Sequence, residues 1–238
     1  MKYIIRFCLS LLFLLLIVAG LLFSLEISFE DIFQLKINWQ EMSSDFLYSF
    51  LRVTLTAIVA WIIAIIIGKL LYAFAWLKII TLPALNFIRH ISPYAWLPVA
   101  IIWFGLGETP AAAIMFTALF FPAVIMTTEL YEQVQIEYRE EANICGATGW
   151  QVFSLVEIPL MKVEFINLFR ILWGLGWTTV IAVEMLGVKQ GLGFRLLDFR
   201  YLLKYENMVV YLLLMGAAGI VVDHLLLYII KKYMRESS

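Results

Sequence analysis

Charged residues are scarce in this chain of 238 residues: they make up 15% of it, whereas hydrophobic residues make up 63% and aromatic residues 16%. A soluble globular domain has about 25% charged residues. The formal net charge is −1, so no basic excess indicates nucleic acid as a partner. The composition therefore excludes a soluble domain and predicts an integral membrane protein.

Cysteine is almost absent, and the sequence patterns of catalytic and metal sites are absent as well. Cys8 lies in an apolar run and Cys145 in a polar stretch, which gives neither a disulfide framework nor the spacing of a metal site. Asp223 and His224 are helical neighbours that point about 100° apart, so we expect a structural role for them rather than a shared metal. No G-x4-G-K-[ST] phosphate loop occurs, so this chain is not predicted to bind ATP.

Long apolar runs predict an all-α protein with about six transmembrane helices. Residues 7–25 resemble the apolar core of a secretory signal, but no cleavage site follows cleanly, so we interpret this run as a retained helix. The third run is short and contains Pro98, so the sequence leaves open whether it crosses fully or only dips into the membrane. The predicted spans are residues 5–25, 50–74, 95–106, 111–127, 163–186 and 208–230.

The distribution of charges predicts the orientation, because Lys and Arg are enriched in cytoplasmic loops. The acidic segment of residues 26–45 is predicted outside, and Lys69, Lys78 and Arg89 inside. Both termini are then cytoplasmic. One loop does not fit this rule, because it is assigned outside although it is basic, and the sequence gives no reason for its charges: Lys189, Arg195, Arg200 and Lys204.

A polar stretch at residues 137–160 predicts two short helices at a bend on the cytoplasmic surface. The first should end at Gly146, a residue suited to the left-handed conformation after a helix. Thr148 and Gln151 have the spacing of a capping box that starts the second, and Pro159 should end it. Such a bend could bind a groove on a soluble partner, although an ordinary amphipathic loop would have the same pattern.

Residues of this stretch fall on the E-A-A-x3-G-x9-I-x-L-P motif of permeases in binding-protein-dependent ABC importers: Glu140, Ala142, Gly146, Val156, Ile158 and Pro159. Further segments resemble the nitrate, sulfonate and taurine subfamily of those permeases, and the likeness covers nearly all of the chain from Phe50 onward. These segments are Pro93-Tyr-Ala-Trp-Leu-Pro98, Trp103-Phe-Gly-Leu-Gly-Glu108, Phe120-Phe-Pro122, Ala182-Val-Glu184-Met-Leu-Gly187 and Gly191-Leu-Gly193.

The resemblance implies a type I ABC importer permease fold in a single transmembrane domain, residues 1–238, whose loop 137–160 couples to an ATPase. The implied coupling residues are Glu140, Glu141, Ala142, Gly146, Ala147 and Pro159. Glu141 is a departure, since the family usually has alanine there. The chain would be no enzyme and bind no cofactor, because ATP and Mg belong to the partner ATPase.

The partners implied by the resemblance are two cytosolic ATPase subunits, a second and identical permease copy, and an extracytoplasmic solute-binding protein. The location would be a bacterial inner membrane. Solutes of similar permeases include nitrate, sulfonates, taurine, bicarbonate and vitamin precursors. The alternatives are a secondary transporter or channel that is not coupled to an ATPase, for which paired broken spans are not apparent, and an intramembrane enzyme.

Polar groups within the spans are candidates for the translocation pathway, because a charge at the bilayer centre costs at least about 2.5 kcal/mol. Arg170 and Glu184 share one face of the fifth run, and their separation of about 21 Å means that each needs its own partner. Alternatively, Arg170 does not line the pathway, and its side chain extends to the membrane surface by snorkelling. We predict that the pathway wall includes Trp177, Thr178, Thr179 and Glu184, with Trp103 at its mouth.

Overall fold

The computed structural model describes residues 38–133, 136–185 and 187–236 and, of the first 37 residues, only Gly20. The predicted first span, residues 5–25, lies outside these stretches. The regular structure of the described residues is helical throughout. The α-helices are α1 Trp39–Ala73, α2 Ala75–Arg89, α3 Leu97–Phe104, α4 Glu108–Gln133, α5 Ile136–Ile144, α6 Gly149–Gln151, α7 Ile158–Leu160, α8 Lys162–Glu184, α9 Leu192–Tyr201 and α10 Tyr205–Glu236. A 3₁₀ turn, Pro93–Trp96, precedes α3, and a π-helical segment, Val152–Glu157, joins α6 to α7.

Four described helices, α1, α4, α8 and α10, are long and apolar enough to cross a membrane. They confirm the predicted spans 50–74, 111–127, 163–186 and 208–230. Helix α1 begins earlier than predicted, at Trp39, where the Asn38 side chain accepts a hydrogen bond from the Glu41 amide at 3.4 Å. Glu41 and Asp45 are therefore helical and not part of an irregular polar loop.

The third crossing is a discontinuous helix, α2 and α3, that runs antiparallel to α4. Lys78 near the start of α2 contacts Glu132 at the end of α4, and Ala100 of α3 packs with Ala111 near its start. The break at residues 90–92 lies beside the middle of α4, because residues 88–93 line a small pocket together with residues 117–122. The predicted span 95–106 is thus only the half of this crossing that contains α3.

Arg89 is consequently misplaced by the sequence prediction, which puts it on the cytoplasmic surface. It ends α2 and lines the pocket beside Ala118 and Phe121 of α4. Residues 82–90 are not predicted as part of a span because their composition is mixed. The reason for this composition is that α2 is amphipathic and contains Pro83.

Small residues bring α1, α4 and α8 together into the core. Ala57, Ala60 and Ala64 of α1 are fully buried, and a Cβ on Gly68 would lie 2.7 Å from the Thr127 side chain of α4. Such small side chains let helix backbones approach closely in a membrane, where apolar burial alone does not drive helices together. One end of this bundle contains Ala73, Gln133 and Lys162. We call it the loop end, because the polar stretch 136–161 joins its helices. We call the other end of the bundle the opposite end.

Candidate functional site: the interhelical loop and the charges of the bundle

The polar stretch forms the bent pair of short helices that the sequence predicts. Helix α5 ends at Ile144, and Gly146 follows with φ of +80°. The amide of Ala147 donates to the carbonyl of Ala142 at 3.0 Å, which closes the helix end. Thr148 then caps α6, and the Gln151 side chain accepts a hydrogen bond from the Thr148 amide at 2.7 Å. The helix stop and the capping box are both confirmed.

Pro159 does not end the second helix as predicted. It lies in the first turn of α7, directly after the π-helical segment. The helical course continues from the π-helical segment through α7 to Met161, which is the N-cap of α8. The loop is therefore joined to α8 by an almost continuous helical path.

Large apolar side chains on this loop are exposed. Ile144 is 85% exposed, Trp150 72% and Leu155 71%. They stand on either side of the Gly146 bend, among exposed polar residues that include Glu140 and Glu141. Gly146 is itself exposed, and Ala142 and Ala147 are half-buried. Several large apolar side chains exposed on one short loop are typical of a protein interaction site, and we call Ile144, Trp150 and Leu155 the apolar patch.

A buried cluster of charges attaches the loop to the bundle. Glu157 is 1% exposed, and it accepts hydrogen bonds from Lys69 Nζ at 2.6 Å and from Arg139 Nε at 2.8 Å. Arg139 also donates to the Tyr72 hydroxyl at 2.6 Å and to the Tyr131 carbonyl at 2.7 Å. These contacts join the loop to the ends of α1 and α4, and we call Lys69, Arg139 and Glu157 the loop anchor.

A second buried carboxylate, Glu184, lies at the opposite end, where α8 stops. It is fully buried; Ser49 Oγ lies 2.8 Å from one of its oxygens, and the Gly193 amide donates to the other at 2.8 Å. Arg52 forms an ion pair with it and donates through Nη2 to Glu108 at 2.6 Å. Glu184 therefore links α1 and α8 to the start of α9, and through Arg52 to α4.

The other predicted pathway residues do not form one cluster. Trp177 is buried, donates from Nε1 to the Met215 carbonyl of α10 at 3.0 Å, and stacks on Trp173. Thr179 is buried and bonded to the Leu175 carbonyl, whereas Thr178 is exposed. Trp103 lies on α3 and is 71% exposed. Within this one chain, Trp177, Thr179 and Glu184 thus pack between helices, and Thr178 and Trp103 reach the surface.

Arg170 has its partner on the neighbouring helix. Its guanidinium donates to both oxygens of Asp223 on α10, at 2.5 and 3.0 Å. The expectation that Arg170 and Glu184 have separate partners is confirmed. Asp223 and His224 do not share a target, because His224 Nδ1 lies 2.9 Å from the Ile220 carbonyl of its own helix.

The basic loop near the opposite end has a partial explanation in the fold. Arg195 donates to Asp45 at 2.9 Å, and Tyr211 donates to the same carboxylate at 3.2 Å. Partial burial alone would lower the pKa of Arg195, but the hydrogen bond to Asp45 and the charges of Asp45 and Glu41 raise it overall. Arg195 therefore remains a cation that fastens α9 to the first turns of α1.

Sequence reasoning missed Ser49, Arg52 and the loop anchor. Arg52 lies inside a predicted span and was itself a signal, since an arginine in an apolar run needs a partner. Glu157 and Lys69 are 88 positions apart, so nothing local in the sequence reveals their contact. In the part of the chain that the structure describes, no group of three or more His, Cys, Asp or Glu residues could hold a metal ion.

Comparisons with known proteins agree with this geometry. The sequence profile of the family described as "Binding-protein-dependent transport system inner membrane component" matches residues 60–235. A putative ABC transporter permease of Methanocaldococcus jannaschii is 33% identical over 150 residues, which are 63% of this chain and 56% of that protein. The taurine transport system permease of Escherichia coli is 30% identical over 156 residues, 66% of this chain and 55% of that protein. The chain thus spans a little over half the length of these relatives.

A solved structure shares the fold. The MetNI methionine ABC transporter in an inward-facing conformation contains a chain that superposes with a TM-score of 0.63 at 17% identity, covering 81% of this chain and 94% of that one. At this identity the likeness shows the fold alone. It confirms the predicted all-helical permease fold.

Proposed function

Because the chain belongs to the family of binding-protein-dependent transport system inner membrane components, we propose that it is the permease subunit of an ATP-driven importer. It forms the path for a small solute, and a separate ATPase hydrolyses ATP with its Mg ion. Permeases for taurine and for nitrate are among its relatives, so we propose a small solute of that class. The family match does not favour a transporter or channel that works without an ATPase.

The exposed apolar patch on the anchored loop carries this proposal. Ile144, Trp150 and Leu155 are exposed, while Glu157 in the same loop is buried by partners on α1 and α5. A mobile surface loop would need no such buried ion pairs. A loop that is fixed to the bundle and presents a tryptophan is suited to bind a soluble partner and to transmit its motion.

The coupling residues are Glu140, Glu141, Ala142, Gly146, Ala147 and Pro159, all of which belong to the same loop. We propose that the loop end faces the cytoplasm of a bacterial inner membrane, with both termini on that side. Lys69 and Lys78 at the loop end support this orientation. The partners are two ATPase subunits, a second copy of this chain, and an extracytoplasmic binding protein.

The proposed mechanism is alternating access: closure of the ATPases moves the loops of the two copies together and turns the cavity between the copies outward. The exposed Thr178 belongs to the wall of this cavity, and Trp103 lies at its mouth. Trp177, Thr179 and Glu184 support that wall from inside each copy. The loop anchor passes the motion from the ATPase to α1, α4 and α8.

The test is to replace Trp150 with alanine and to measure binding of the purified ATPase to the permease. We expect binding at least tenfold weaker, because an exposed tryptophan at an interface contributes about 2 kcal/mol or more. Tyr201→Ala is the matched control, since Tyr201 is 75% exposed at the opposite end. Equal loss of binding in both variants, or in neither, contradicts the docking role of the loop.

A second variant separates coupling from folding. Gly146→Asp introduces a charge where no atom lies within 4 Å of the added Cβ, and aspartate is one of the residues that tolerates a positive φ. We expect normal membrane insertion but ATP hydrolysis that no longer drives uptake. Normal uptake by this variant would refute the coupling role.

A further inference from the structure

Arg89 lies beside the centre of a membrane-crossing helix. It lines the pocket with Ala118 of α4, which is about 15 Å along the helix from Glu108 and about 22 Å from Gln133. Here the third crossing is interrupted, since α2 ends at Arg89 and the 3₁₀ turn begins at Pro93. A basic residue and a helix break therefore coincide near the middle of the bilayer.

Arg89 differs from the cations whose contacts have been described above. Arg52 pairs with Glu184, Lys69 with Glu157, Arg170 with Asp223, and Lys78 with Glu132. Arg89 is exposed and has no hydrogen bond or ion pair with any residue that the structure describes. No carboxylate lines its pocket. The third crossing thus carries an uncompensated positive charge at its break.

Such a charge is unfavourable in a lipid environment. An arginine at the bilayer centre costs at least about 2.5 kcal/mol even on the most lenient scale, and from this depth its side chain is too short to reach either surface. The exposed side of Arg89 must therefore face water or a polar partner. In an importer, the water-filled space at this depth is the translocation pathway.

We propose that Arg89 and the helix break beside it form a subsite of the pathway that binds small anions. The pocket behind Arg89 has a volume of only about 30 Å³, so an anion contacts the exposed side of the guanidinium. This inference rests on the proposed transport function and adds the residue of this chain that an anionic solute would contact.

The experiment measures the electrostatic preference of the break with charged thiol reagents, so the solute need not be known. The reporter is Ser92→Cys, because Ser92 is exposed beside the break and its side chain caps no amide. The two native cysteines are removed by Cys8→Ser and Cys145→Ser. The assembled transporter in proteoliposomes is treated with an anionic sulfonatoethyl or a cationic trimethylammonioethyl methanethiosulfonate. We expect the cysteine to react with both reagents and faster with the anionic one.

Removing the charge of Arg89 should abolish that preference. Adding Arg89→Gln to Ser92→Cys should lower the ratio of the anionic to the cationic rate at least tenfold, whereas Arg89→Lys, the matched control that keeps the charge, should preserve it. Ile62→Cys, on the exposed apolar face of α1, should react with neither reagent. An unreactive Ser92→Cys, or a ratio unchanged by Arg89→Gln, would overturn the proposal.

The result is independent of the test of the coupling loop. If Trp150→Ala still weakens ATPase binding while the reagent ratio does not respond to Arg89, the importer function stands and only the anion subsite falls. If the ratio responds but the ATPase does not bind the loop, the anion site belongs to a pathway that is driven in another way. Retained ATPase binding by the Arg89→Gln variant shows that it is folded.

Discussion

At the scale of single residues, the charged side chains within the bundle form ion pairs and hydrogen bonds that connect helices distant in sequence. Glu157 is bound by two cations, and Glu184 by Arg52, Ser49 and an amide of α9. Burial of an ion pair adds little net stability, because desolvation offsets the attraction, but removing one partner strands the other. These carboxylates therefore contribute more to the specific arrangement of the helices than to the free energy of unfolding.

Glu157→Gln should destabilise the protein by about 3–5 kcal/mol, because Lys69 and Arg139 would lose their common counter-charge in a buried site. Thermal unfolding of the purified protein in detergent measures this change. Glu164→Gln is the matched control, since Glu164 is exposed in the first turn of α8 and its replacement should cost less than about 0.5 kcal/mol. Equal effects of the two variants would show that the anchor is not needed for the fold.

What the sequence reveals at this scale is limited to contacts within a few residues. The positive φ of Gly146 and the capping box of Thr148 follow from local backbone chemistry and are confirmed. The contacts of Arg52 with Glu108 and Glu184 join positions 56 and 132 residues apart, so the sequence shows only that each charge needs a partner. Which partner it finds depends on the packing of whole helices.

At the scale of elements, two structural features depend on glycine at the start of α9. Gly191 has φ of +132°, and a Cβ on Gly193 would lie 2.4 Å from the Ile181 carbonyl and 2.9 Å from Glu184 Cβ. The close approach lets the Gly193 amide reach the Glu184 carboxylate. The Gly191-Leu-Gly193 segment therefore allows the start of α9 to pack closely against the end of α8.

Gly193→Ala should consequently destabilise the opposite end by more than an ordinary glycine replacement. The backbone of Ile181 cannot move without disturbing α8, so we expect a loss of about 1–3 kcal/mol, as for an overpacked core, measured by thermal unfolding. Gly216→Ala in α10 is the control, because nothing lies within 4 Å of its added Cβ and alanine favours a helix by about 0.5–1 kcal/mol. A Gly193→Ala variant as stable as the unaltered chain would contradict the close packing.

The long apolar helices were predictable from the sequence, whereas the broken third crossing was not. Each of the four long spans contains a stretch of high mean hydropathy with at most two charged residues, and each is long enough to cross a bilayer. Helix α2 divides its residues between a face toward α4, with Lys78 and Arg89, and an exposed apolar face that includes Ile79 and Phe87. That mixture is typical of a surface segment, and only the packing of α2 along α4 shows that it belongs to the third crossing.

At the scale of the whole molecule, the exposed faces of the spans differ in polarity. Beyond its polar first turns, the exposed residues of α1 are apolar at helical spacing and include Leu55, Ile62 and Ile66, so this face is suited to lipid. Helix α8 instead exposes a mixed stripe: Glu164, Asn167, Ile171, Leu175 and Thr178. Arg170 and Asp223 beside this stripe are also partly exposed. Polar groups in a span face protein or water, so α8 is the side on which we expect the second copy.

Cysteine crosslinking tests this arrangement, in a background with Cys8→Ser and Cys145→Ser. Leu175→Cys and Thr178→Cys lie on the mixed stripe of α8 and should yield a crosslinked dimer with a short bis-thiol reagent in the native membrane. In a symmetric dimer, the same face of both copies meets at the two-fold axis, so a single substitution supplies both thiols. Ile62→Cys, on the lipid-facing side of α1, is the control and should remain monomeric. A dimer obtained through Ile62→Cys but through neither α8 position would place the partner on α1, and the pathway could then not run along α8.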